Sequence, residues 1–259
     1  MQDVAKQMLD RAKALLAEGK VQYVVGWKKG LFEDDITPAV FTSTEELDKD
    51  FIFDKNCKAN LSKYLVKITR NIEIKKSTTR MNNTMAKQRD PNAQDAPIPS
   101  EVAAVFLKPA DTYSFTQLLK ENRITRGDVY AIGVPCQDAI DGGDVCDSCA
   151  GKKPVSCDEY IGVDANADVK DADRLSVLAK FDAMTADERN AFWKNEFSRC
   201  IRCNACRNVC PACTCEKCVF DNNNLYTTQK VAETSFEESL FHIIRTWHVD
   251  GRCTDCGEC

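Results

Sequence analysis

The stretch CIRCNACRNVCPACTCEKC, residues 200–218, places seven cysteines in nineteen residues. Cys200, Cys203, Cys206 and Cys210, followed by Pro211, spell C-x2-C-x2-C-x3-C-P, a spacing with which thiolates hold [4Fe-4S] clusters. Two intervening residues let a tight loop carry three thiolates to three corners of a cubane while its amides turn toward the sulfides. Pro211, with no amide hydrogen and a fixed φ, then turns the chain away. A second triplet, Cys253, Cys256 and Cys259 in GRCTDCGEC, repeats the two-residue spacing. Where two such runs coexist, the fourth cysteine of one ligates the cluster of the other. Cys210 is therefore expected to join Cys253, Cys256 and Cys259. The cluster at Cys200, Cys203 and Cys206 then awaits a ligand from beyond Cys259, so the sequence reads as truncated there, or takes one from Cys213, Cys215 or Cys218. Those three could instead hold a further metal or fill space as small hydrophobes. The competing chemistry for all these thiols is a zinc ribbon, which uses C-x2-C pairs and has no need of triplets.

A second group lies upstream in GVPCQDAIDGGDVCDSCAGKKPVSC: Cys136 just past a predicted strand, with Cys146, Cys149 and Cys157 in the loop that follows. Four thiols at the carboxyl end of a strand suit a third metal site, a cluster or a structural zinc. Cys57 has no thiol near it in sequence and reads as a buried apolar residue. Fifteen cysteines, an odd number in a chain with no secretory leader, argue against a disulfide framework and for metal ligation in a reducing cytoplasm.

The elements that must position these groups are legible in the periodicity. Residues 21–27, 102–107 and 129–134 are short β-branched or apolar runs and predict buried strands. Helical spacing covers 3–18, 60–69 and 112–121, the last between two strands, so the order predicts an α/β domain over 1–165 with a parallel or mixed sheet and flanking helices. Residues 75–100, polar and with three prolines, read as a mobile surface insertion. The segments RLSVLAKF and TADERNAFWKNEFSRC predict a helical connector over 166–199, the second helix opened by a capping box of Thr185 and Glu188. It delivers the chain to a two-cluster ferredoxin-like domain over 200–259. His242 and His248 lie on a helix before the last triplet and read as packing residues.

The segments GKVQYVVGWKKG, CKANLSKYL, ITRGDVYAIGVPCQDAID, FWKNEFSRCIRCNACRNVCP and IRTWHVDGRCTDCGEC together resemble the beta-subunit family of coenzyme F420-dependent hydrogenases and formate dehydrogenases, especially its ferredoxin-type members. The resemblance spans nearly the whole chain outside 75–100. It implies an iron-sulfur electron-transfer subunit, in some members with FAD, that serves catalytic and electron-accepting subunits of a larger oxidoreductase of anaerobic metabolism, with ferredoxin as a further partner. Where the family carries Lys-Gly-Cys-Asp and then Ser-Arg, this chain has Lys108, Pro109, Ala110, Asp111, Thr112 and Tyr113.

Two other function classes stand beside that reading. A FAD-containing dehydrogenase subunit acting on F420 or NAD(P)H would need a cofactor site, yet there is no G-x-G-x-x-G, and GWKKG, Gly26 to Gly30, is at best a loop whose lysines meet a phosphate. No paired carboxylates or Ser-His-Asp set offers a catalytic residue. A zinc-stabilised interaction protein would use the same thiols as a scaffold. The net charge of −5, with cations dispersed among acids, gives no footprint for nucleic acid, and no apolar run is long enough for a membrane span.

Overall fold

The computed structural model describes residues 2–32, 35–136, 149, 151, 153–164, 176–221 and 234–259. Five strands form one mixed sheet in the order β2-β1-β3-β4-β5, with β1 Tyr23–Lys29, β2 Ile36–Phe41, β3 Ala103–Leu107, β4 Val129–Gly133 and β5 Glu159–Tyr160. β1, β3, β4 and β5 run parallel, and β2 pairs antiparallel with β1, Val24 opposite Phe41 and Lys29 opposite Ile36. All five residues of β3 are buried, as expected of a central parallel strand covered on both faces. Three strands lie within a residue or two of where the sequence predicts them. β2 and β5 are edge strands: Pro38 interrupts the apolar run of the first and the second is two residues long, so neither reads as a strand in advance. GWKKG is not a loop: Gly26 to Lys29 belong to β1 and are held in register by β2.

Helix α1, Gln2–Ala17, buries Met8, Ala12 and Leu15, the i, i+4, i+7 stripe that its sequence advertises. Its Arg11 donates to Glu159 at 2.8 Å and so ties the helix to the β5 edge. After the short α2, Thr44–Asp50, comes α3, Ser62–Arg89, where the predicted helix ended at residue 69. Only Ser62, Leu65, Thr69 and Ile72 of α3 are buried; the rest is an exposed rod continuing from an anchored start, and Pro91 lies just beyond its end. Residues 75–89 are thus helical, outside the core as expected. The return segment is fixed to the rod by Asn83, whose side chain exchanges two 2.9 Å hydrogen bonds with the Ala96 backbone.

Helix α4, Pro109–Lys120, connects β3 to β4 and buries Asp111, Thr112, Ser114, Phe115 and Leu118. Pro109 sits in its first turn, where no amide hydrogen is needed. Trp27, Phe106 and Phe115 are the largest fully buried side chains of the core. Among the described residues, four further α-helices follow: α5 Ser176–Asp182, α6 Ala186–Phe197, α7 Ala205–Val209 and α8 Ser235–Val249. Thr185 and Glu188 form the expected capping box of α6, and Thr234 with Glu237 forms another on α8. No described helix is long and apolar enough to cross a membrane.

Candidate metal centre

α6 runs into the loop of Cys200, Cys203 and Cys206, and α8 runs into the loop of Cys253, Cys256 and Cys259. The two loops share a backbone conformation that their sequences do not advertise. In the first, Arg202 and Asn204 have φ of 50° and 62°; in the second, Asp255 and Gly257 have φ of 55° and 77°. Counted from the first cysteine these are the same two positions, one before and one after the middle thiol. Three of the four are not glycine, and left-handed backbone at such residues is uncommon and costs roughly 1 kcal/mol or more each. Alternation of right- and left-handed residues turns successive N–H groups into one concavity, a nest suited to anions and to iron-sulfur sites. The Arg202 amide donates to Cys200 Sγ at 3.4 Å.

The fourth cysteine of the first run crosses over. Cys210, Cys253, Cys256 and Cys259 line one cavity of about 190 Å³, together with Pro211, Ala212 and the α4 residues Ser114, Gln117 and Leu118. The cavity is pinned from the α/β side: Lys63 Nζ donates to the carbonyls of Cys210 at 3.1 Å and Arg207 at 2.9 Å, Ser114 Oγ lies 2.8 Å from Thr254 Oγ1, and Arg252 donates to Glu121 at 2.8 Å. Burial pushes the thiols of Cys256 and Cys259 above the usual range. The Cys210 thiol is raised mainly by its hydrogen bond to Cys213. That bond draws Cys213 down to about 5, with Arg245 Nη1 donating to Cys213 Sγ at 3.2 Å. Cys213, Cys215 and Cys218 do not line the Cys210 cavity; they meet in a neighbouring one of about 160 Å³ with Arg207, Arg245, His248 and Arg252.

Among the described residues, the one set of three donors within 4.8 Å of one another is Cys200, Glu238 and His242. His242 packs, as expected, stacking on Phe197 with ring centroids 4.2 Å apart, and its Nε2 lies 2.9 Å from Glu238 Oε1. Arg202, buried over the Phe241 ring, lies 3.6 Å from the same carboxylate.

Of the upstream group, Cys136 leaves the carboxyl end of β4, and Cys157 returns to it, close enough that a Cβ on Gly133 would stand 3.3 Å from its Sγ. Cys149 lies in the returning loop, and Cys146 falls outside the described residues. The loop is seated on α4: Val155 N donates to Thr112 Oγ1 at 3.1 Å, and Gly151 approaches so closely that a Cβ would meet Ala110 Cα at 2.4 Å. At 3.6 residues per turn, Thr112 and Thr116 face away from Ser114, Gln117, Leu118 and Glu121. The upstream loop thus touches α4 both on the Thr112 side and at Ala110, one turn before Ser114 on the stripe that faces the C-terminal loop. Burial raises the Cys157 thiol to about 12, and Cys57, buried as expected, is raised likewise to about 12.

Lys63, Arg245, Glu238 and Ser114 were not singled out in the sequence. Each sits on a helix at an ordinary amphipathic position, and only the packing brings it to a thiol loop. No family model matches the chain. Over 67 residues it is 33 % identical to the F420-dependent formate dehydrogenase subunit beta of Methanocaldococcus jannaschii, a match covering 26 % of this chain and 17 % of that protein. The chain therefore matches well under two thirds of that relative, and the similarity is narrower than the near-full-length resemblance read from the segments.

Proposed function

We propose that this chain is an iron-sulfur electron-transfer subunit of a multi-subunit oxidoreductase, of the F420-dependent hydrogenase and formate dehydrogenase beta-subunit family. The observation that carries the reading is the matched left-handed pattern in the two triplets, a backbone pattern suited to amide nests around three thiols. Cys210 with Cys253, Cys256 and Cys259 would hold one [4Fe-4S] cluster; Cys200, Cys203 and Cys206 would hold part of a second; Cys136, Cys146, Cys149 and Cys157 would hold a third. The units are an α/β domain over 1–165, a connector over 166–199 and a ferredoxin-like region over 200–259. Bound clusters supply one-electron carriage.

The chain's own residues fix the thiol positions. Lys63 anchors the turn at Cys210, and Arg252 and Ser114 clamp the last loop on α4. The similarity to a formate dehydrogenase subunit supports redox partner subunits for this chain as well.

Anaerobic purification of the chain, followed by iron and sulfide analysis and electron paramagnetic resonance of the reduced protein, tests the reading. Brown protein with reducible cluster signals is expected, with Cys203→Ser depleting one cluster. A second reading, a zinc-stabilised scaffold, is favoured by the convergence of Cys200, Glu238 and His242. Colourless protein with zinc and no sulfide would establish it and overturn the first.

A further inference from the structure

We propose that Cys213, Cys215, Cys218 and His248 form a site for a single zinc ion, bordering the cluster loops through Cys213, whose thiol hydrogen-bonds Cys210. Three thiols and an imidazole line one cavity, and Cys3His is a complete tetrahedral zinc ligand set. The inference rests on the cluster reading only for its neighbours, not for its own ligands.

Three observations favour one ion over a further cluster. None of residues 213–218 has a positive φ, so this loop lacks the left-handed residues of both triplets. Its spacing, C-x-C-x2-C, also departs from the triplets, with only Thr214 between Cys213 and Cys215. Finally, His248 lies in the last turn of α8, where the helix dipole favours a cation, and its ring is exposed, tilted against Phe220 with centroids 6.5 Å apart.

Charge and second contacts agree. Three thiolates and a dication leave one negative charge, and Arg245 already donates to Cys213 Sγ at 3.2 Å, an outer contact that would steady a ligand sulfur. Arg252 donates to the His248 carbonyl at 2.9 Å and fixes the backbone that carries the imidazole. No three of the four donors lie within 4.8 Å of one another, so binding an ion would require these side chains to turn inward. The site would fasten the end of α8 to the loop that follows Cys210, next to the crossed cavity.

The test uses the whole chain purified anaerobically, with zinc and iron measured together and X-ray absorption at the zinc edge. One zinc per chain is expected, with three sulfurs at about 2.3 Å and one nitrogen at about 2.0–2.1 Å. His248→Ala should lose that zinc and keep its iron; His248→Cys should regain zinc with four sulfurs, which shows that the fold tolerates the change. Cys215→Ser should also lose zinc without losing iron. Iron loss in place of zinc loss, or a zinc shell unchanged in His248→Ala, overturns the proposal. If the chain proves to hold zinc throughout and no cluster, the electron-transfer reading fails, yet loss of one zinc equivalent in His248→Ala would still uphold this site.

Discussion

The sheet domain and the cysteine-rich region are held together by different means. In the first, β3 is buried along its whole length, and Trp27, Phe106, Phe115, Met8 and Leu15 close a continuous apolar core. In the second, the buried hydrophobic residues among those described from 176 onward are Ala212, Phe220 and Phe241. Trp247, Phe236 and Ile201 are more than 70 % exposed. A region with so little buried apolar surface does not offset its chain entropy by burial alone. Metal ligation is the usual substitute, because ligands absent from the unfolded chain make binding energy into folding energy.

Removing the metal should break this comparison most visibly. After anaerobic chelation, amide hydrogen exchange should speed up across 200–218 and 235–259 while β1, β3 and β4 stay protected. Uniform protection in both states, or loss of the sheet as well, would contradict it. The opposite lesion is Trp27→Ala, which should cost the sheet domain about 3–5 kcal/mol in denaturant unfolding and leave iron per chain unchanged.

Asp111 gives a pH handle on the boundary between the regions. Its buried carboxyl is pushed up to about 7, chiefly by burial, with Lys108 opposing the rise. An unfolded aspartate titrates near 3.9, so between about 4 and 7 the folded chain keeps a proton that the unfolded chain has shed. Stability contributed by this group should therefore fall as pH rises through that window. Asp111→Asn should flatten the slope and stabilise the protein at neutral pH; a variant with the wild-type slope would assign it to other groups. The smallest effect expected is from Gly151→Ala. The added methyl meets the Ala110 backbone, so the loop must shift off α4 at about 1–3 kcal/mol, seen as faster exchange confined to 153–160.

What the sequence revealed follows the same division. β1, β3, β4, α1 and the α6 capping box are local or periodic signals, and each lies close to its predicted span. β2, β5 and the length of α3 depend on edge pairing and on continuation from an anchored turn, which residue patterns report poorly. The thiol spacings identify the candidate ligands, but they say nothing of Lys63 beneath Cys210, of Arg245 on Cys213, or of the left-handed residues Arg202, Asn204 and Asp255. Those are products of packing and loop closure. That Cys213, Cys215 and Cys218 would line one cavity with His248 was equally invisible, since His248 lies thirty residues further on.

The shared cavity of Cys210, Cys253, Cys256 and Cys259 has a bearing on biogenesis. Its first wall is synthesised well before the other three thiols, and α4, which forms its floor, earlier still. During translation the nascent chain exposes Cys200 to Cys218 with no closing loop, a stretch of bare thiols open to oxidation or to the wrong ion. Only when α8 has folded and swung the last loop onto Ser114 and Glu121 does the four-thiol enclosure exist. On the proposed reading, cofactor loading there waits until the chain has been made through Cys259, and its thiols need to stay reduced through that interval.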